Sequence, residues 1–221
     1  MADDFQIVSA GDAALIVQFA GRVDPLVNAR AIGLANQLRT AARPGVLDVV
    51  PTFRSVAVYF NPLQTDHDRL LVELRRLAKS SAAVDSSAAE PIQIPVKYGG
   101  QFGPDLAAVA QFANISEDEV VRLHTAVTYR VFMLGFVPGF AYMGSVDQRI
   151  AAPRRSTPRT AVPAGSVGIA GVQTGIYPSE APGGWQLIGH TDVRLFDVSR
   201  ASAALFKPGD LVRFIPVDHP A

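Results

Sequence analysis

Residues 160–189 read TAVPAGSVGIAGVQTGIYPSEAPGGWQLIG, a stretch in which glycine, proline and small polar residues surround isolated Val, Ile, Tyr and Trp. It has no helical apolar period, and its apolar residues recur too regularly between the glycines for a disordered segment. Short apolar runs punctuated by turn residues predict the strands and tight turns of a barrel. Two shorter segments of similar character precede it, IPVKYGGQFGPDL at 94–106 and LGFVPGFAYMG at 134–144. Residues 129–217 therefore read as nearly all strand and turn, with one short helix expected at 201–205. Two more helices are expected upstream, at 105–113 and 117–126. The second is opened by Ser116 with Glu119 three residues on, a capping-box pattern.

The first 80 residues read differently. Residues 13–19 form a short apolar run bounded by Gly11-Asp12 and Gly21, the mark of a strand. Asp24-Pro25 supplies a cap and a proline suited to the first helical position; Val27, Ala31, Leu34 and Leu38 then share one face until Pro44-Gly45. Residues 46–50 and 55–60 read as a hairpin whose second strand alternates in Val56, Val58 and Phe60. Asp66 caps a second helix striped by Leu70, Leu74 and Leu77. The expected order is strand, helix, strand, strand, helix. After Lys79, SSAAVDSSAAEP has the composition of a linker, which divides the chain into an N-terminal α+β domain, 1–88, and a second domain, 89–221. Ile92, Ile94 and Val96 alternate beyond it and either complete the first sheet as a split βαβ unit or open the second domain.

Twenty basic and twenty acidic side chains in 221 residues leave a formal net charge of zero, so no global field draws in nucleic acid or an anionic membrane. The absence of cysteine excludes disulfides, thiolate nucleophiles and thiolate metal sites. No apolar run approaches the roughly 20 residues that span a bilayer, and the acidic start MADDFQIVSA does not read as a signal peptide, so a cytoplasmic location is expected.

Five segments taken in order, GDAALIVQF, PTFRSVAVYF, YGGQFGPDL, LHTAVTYRVFMLGFVPGFAYMG and PRTAVPAGSVGIAGVQTGIYPSEAPGGWQLIG, resemble the family of 5-oxoprolinase B subunits. That family is also described as allophanate hydrolase subunit 1 and as the KipI family of sensor-kinase inhibitors. The resemblance covers nearly the whole chain. It implies an α+β protein: a small ferredoxin-like α/β sandwich followed by a cyclophilin-like β-barrel. It also implies hydrolysis of 5-oxoproline to glutamate by a complex with an A subunit and with a C subunit of the allophanate hydrolase subunit 2 type. ATP and Mg²⁺ would act at the level of that complex, without an intrinsic metal, and the isolated chain would be inactive. The KipI name implies an alternative, inhibition of a sensor histidine kinase by protein binding. A prolyl isomerase reading rests on fold likeness alone. Two departures stand out: His190 replaces the arginine of the usual GRTP after WQLI, and Lys97 stands where cysteine is frequent.

The implied chemistry breaks an unactivated lactam and needs positive charge and preorganised donors. The glycines at 165–171 could cradle an anion, yet outside a strand-to-helix setting they more often relieve crowding at turns and bulges. Arg154, Arg155 and Arg159 form the best cationic cluster, held extended by Pro153 and Pro158. The resemblance raises Arg154 and Arg159 to catalytic candidates over the ordinary solvated-loop reading. Phe136, Phe140, Tyr142, Tyr177 and Trp185 offer a pocket or a core. Trp185, after Pro182-Gly183-Gly184, together with Gln186, Gln173 and Thr174 would form a groove wall for a small lactam or a partner's loop. His124 shares a helix face with Val120 and Val127, where a packed histidine is the commoner outcome; the resemblance raises it to an acid–base or positioning candidate. His190 titrates near neutrality and is placed at the groove's edge.

Overall fold

Strand β2 (Ala14–Phe19) buries Leu15, Val17 and Phe19, the period-two pattern of a sheet covered on one face. With β1 (Phe5–Ser9), β3 (Val46–Pro51) and β4 (Ser55–Phe60) it forms an antiparallel sheet in the order β1-β2-β4-β3. Helices α1 (Pro25–Ala41) and α2 (His67–Ser80) cover that face: Ala31, Leu34 and Leu38 from one and Leu70, Leu74 and Ala78 from the other join the same core as the strands. Both caps form as expected, Asp24 accepting from the Leu26 amide and Asp66 from the Arg69 amide, each at 2.9 Å. The computed structural model describes residues 4–19, 21, 24–81 and 90–217. The stretch read as a linker lies, over 82–89, outside the described residues. By internal contacts the chain divides into two compact units, Met1–Ala88 and Ala89–Ala221.

The first unit is an α/β sandwich. Its centre follows the split βαβ plan: α1 joins β2 to β3, which run the same way, and β4 lies antiparallel between them. The strand that lines the other side of β2 is β1, in place of a strand following α2; it is absent from the sequence reading, since it is only five residues long and just Phe5 and Ile7 pack on the core. The segment left open between the two units, β5 (Ile92–Tyr98), joins the second one, where Ile94 and Val96 enter the barrel core.

That barrel is closed and seven-stranded. Besides β5 it contains β6 (Tyr129–Leu134), β7 (Ala141–Gly144), β9 (Ser166–Ala170), β10 (Gln173–Ile176), β12 (Gln186–His190) and β13 (Leu211–Pro216), in the order β10-β7-β6-β13-β5-β12-β9. Two short strands, β8 (Arg159–Val162) and β11 (Ala181–Gly183), pair apart from it. Helices α3 (Leu106–Ala113) and α4 (Glu117–Thr125) add Leu106, Val109, Val120 and Leu123 to its core. Ser116 caps α4 through the Glu119 amide, while the Glu119 carboxylate pairs with Arg122 instead of closing the capping box. The helix expected at 201–205 does not form: those residues make bends and an isolated bridge between Phe196 and Ala204. Five residues give a helix too few hydrogen bonds to offset its nucleation.

Candidate ligand cleft on the barrel flank

Five aromatic rings gather beside β10 and β12. Phe140 meets Trp185 edge to face at 5.4 Å and Tyr177 at 5.4 Å, with Tyr142 4.9 Å away, and Phe136 stands over Phe140 at 5.5 Å. Such tilted pairs set the positive edge of one ring on the negative face of the next. Phe140, Tyr177 and Trp185 are buried, whereas Phe136, held at φ 68°, is 55% exposed. Together with Arg154, Pro158 and the turn at 182–184 the rings line a cleft of about 250 Å³. A larger hollow of about 420 Å³ lies between the end of β5 and α4, but Glu117 and Asp118 line it and no guanidinium does.

The glycines at 165–171 that could have cradled an anion serve this cleft instead. Residues 166–170 are strand β9, fully buried, with their amides facing β10 and β12. A side chain at Gly168 would crowd Trp185, its Cβ 3.1 Å from the Trp185 Cβ, and one at Gly175 would come within 3.3 Å of the indole. At Gly183 an added Cβ would collide with the Tyr177 hydroxyl. Glycine is what lets the large rings lie directly against the barrel wall.

The three arginines part company. Asp105, immediately before α3, is 4% exposed and gathers two of them. Arg159 forks onto it, Nη1 to Oδ2 at 2.8 Å and Nη2 to Oδ1 at 2.9 Å, and Arg155 Nη1 donates to Oδ1 at 2.9 Å. The Leu187 amide adds a bond of 2.7 Å to Oδ2. Burial by itself would raise the Asp105 pKa; the Arg159 hydrogen bond, the Leu187 amide and the two positive charges outweigh it and hold the carboxyl below its usual range. Arg159 therefore faces a carboxylate already in place. Arg154 is exposed at the cleft and makes no hydrogen bond or ion pair to another described residue. Its charge reaches Tyr177, whose pKa is raised mainly by burial.

His124 lies inside the barrel. It is fully buried and stacked on Phe214 at 4.6 Å; Nδ1 lies 2.8 Å from the Tyr98 hydroxyl and Nε2 2.9 Å from Thr174 Oγ1. Thr174 donates to the Gly168 carbonyl at 3.0 Å, so its oxygen accepts from Nε2–H and Nδ1 accepts from Tyr98. Burial lowers the imidazole pKa to about 3, keeping it neutral. The ring is thus bonded at both nitrogens within the barrel core and is not among the residues that line the cleft. Thr174 goes with it.

Against known proteins, residues 5–206 match the family described as "Carboxyltransferase domain, subdomain C and D". The chain is 44% identical to the 5-oxoprolinase B subunit of Escherichia coli O157:H7, covering 93% of both chains. The chain belongs to the family of 5-oxoprolinase B subunits. The Bacillus subtilis family member is 37% identical, over 96% of this chain and 93% of its own. The crystal structure of TTHA0988 superposes with a TM-score of 0.84 at 38% identity; the match covers 94% of this chain and about 40% of that longer one. Lys97 and His190 are direct partners across β5 and β12. Lys97 Nζ is 2.9 Å from Asp192, and His190 Nδ1 is 3.7 Å from the same carboxylate.

The cleft thus unites Arg154, Phe140, Tyr142, Tyr177 and Trp185 from the sequence-selected set. Gln186 borders it, donating to the Pro153 carbonyl at 3.0 Å. Gln173, in the β9–β10 hairpin, and His190, against the Ala164 carbonyl, are not among its lining residues. Sequence reading missed Asp105. An aspartate ahead of an apolar run reads as a helix cap, yet its side chain makes no cap bond; the only hint was its place in GPDL.

Proposed function

We propose that this chain is the B subunit of a multi-subunit 5-oxoprolinase and that the flank cleft receives the lactam. The near full-length identity to curated 5-oxoprolinase B subunits carries the reading. The cleft suits the chemistry: a five-membered lactam ring lies against Phe140 and Trp185, and its carboxylate meets Arg154. Tyr177, kept protonated by burial, accepts a bond from the Trp185 backbone and has its own proton to offer the lactam oxygen. In that role it stabilises charge developing on the oxygen as the ring opens. ATP and Mg²⁺ supply the driving force at the level of the complex. Among the described residues there is no acidic or histidine cluster fit for a metal, and β9 and Asp105 already engage the glycine amides and two of the three arginines, so no phosphate step is assigned to this chain. The A and C partner subunits complete the site, and the isolated chain is inactive. The sensor-kinase reading is not favoured, because the curated relatives are all named as the B subunit of 5-oxoprolinase. No helix of the described residues is long and apolar enough to cross a membrane.

Co-expression with the A and C subunits tests this. The expected result is a complex that consumes ATP only when 5-oxoproline is present and loses that activity when this chain is left out. Undiminished turnover without it overturns the proposal.

A further inference from the structure

Asp105 sits where a helix cap belongs and does not cap. Its carboxylate turns from α3 to Arg155, Arg159 and the Leu187 amide, and its own amide donates back to the Leu187 carbonyl at 2.8 Å. Burying a carboxylate beside two guanidiniums carries a desolvation cost that apolar packing would avoid. What the arrangement achieves is geometric. Leu187 is two residues from Trp185, and Arg155 follows Arg154. The Arg155 amide also donates to the Gly184 carbonyl at 2.7 Å, and Gln186 reaches the Pro153 carbonyl. The backbone on both sides of Arg154 is therefore tied to the residues that flank Trp185, Gly184 and Gln186.

We propose that Asp105 is a positioning residue for the cleft: through Arg155, Arg159 and the Leu187 amide it fixes the spacing between Arg154 and Trp185 that a small cyclic carboxylate spans. By engaging two arginines it also leaves Arg154 as the guanidinium presented to the ligand. The proposal rests on the flank cleft being the 5-oxoproline site.

The test is a double-mutant cycle in the assembled 5-oxoprolinase. Asp105→Asn keeps the shape but removes the charge and one acceptor; it is expected to raise KM for 5-oxoproline about tenfold or more, since misplacement by about 1 Å at a reacting site is that costly, while KM for ATP stays unchanged. In an Arg154→Ala background the same substitution should add little, because the two residues act through one contact. Amide exchange at Arg155 should quicken, and the emission of Trp185, the single tryptophan, should shift. An unchanged KM, or effects of the two substitutions that multiply independently, overturns the positioning role. If Arg154→Ala alone leaves KM for 5-oxoproline unaltered, the cleft reading fails first and this proposal falls with it. Should Asp105→Asn not yield soluble protein, Arg159→Lys, which keeps the charge and loses the two-pronged grip, must raise KM in the same direction; parental KM in that variant is equally decisive.

Discussion

The interior of the barrel and the cleft on its flank are built from similar groups, tyrosine hydroxyls, aromatic rings and a basic side chain, and they treat them oppositely. Inside, Tyr98, His124, Thr174 and the Gly168 carbonyl form a closed chain of hydrogen bonds in which each group has its partner. On the flank, Arg154 has no partner among the described residues, and Phe136 is exposed in a left-handed conformation. Buried polar groups must be satisfied for the protein to fold, whereas a binding site retains unused capacity until its ligand arrives. Substitutions inside should therefore act on stability, and those in the cleft on ligand.

The largest stability effect is expected from Thr174→Val, which leaves His124 Nε2–H unmet in a sealed core. At about 1–3 kcal/mol for an orphaned buried donor, urea unfolding at neutral pH should show a loss of that size. A change below about 0.5 kcal/mol would break the comparison.

Next comes a pH dependence. His124 titrates near pH 3 when folded and near 6.5 when unfolded. Between those values the unfolded chain binds a proton that the folded chain refuses, so stability falls as pH falls, by up to about 1.4 kcal/mol per unit. His124→Gln should flatten this slope relative to the parent between pH 6.5 and 4.5. Asp105 acts in a lower window: its depressed pKa contributes stability at neutral pH that is lost only as pH drops below the ordinary carboxylate range and through the folded value.

Gly183→Ala pushes a methyl into the Tyr177 hydroxyl. Overpacking of this kind costs about 1–3 kcal/mol; the lower end is expected because the turn is partly exposed, and quenching of Trp185 fluorescence by 5-oxoproline should weaken. Smallest in stability is Arg154→Gln, expected to alter the unfolding free energy by less than about 0.5 kcal/mol while lowering turnover of the complex at limiting 5-oxoproline at least about tenfold. A drop in melting temperature with intact turnover would move Arg154 to the structural side of the comparison.

Much of the fold was legible from local signals. The caps at Asp24 and Asp66, the hairpin at 46–60 and the barrel strands follow from residue type and spacing, because each depends on neighbours close in sequence. Strand β1 was not legible: its core-facing residues, Phe5 and Ile7, make one short alternation, and its place beside β2 is a pairing that local sequence does not specify. Within the site, Trp185 and Tyr177 announced themselves through the glycines around them. Asp105 did not, since its partners lie 50, 54 and 82 residues away.

Residue order alone determined the division into an amphipathic α/β segment and a glycine-rich barrel, the family, and the inventory of aromatic and cationic groups, since these depend on composition, period and motif. Only the tertiary structure decided which groups have capacity left for a ligand. Arg154 and Arg159 differ little as sequence; one faces a cleft and the other a buried carboxylate brought to it by the fold. A histidine on a helix face becomes a neutral strut once seven strands close around it. Burial and pairing are long-range properties, and they separate a binding residue from a structural one.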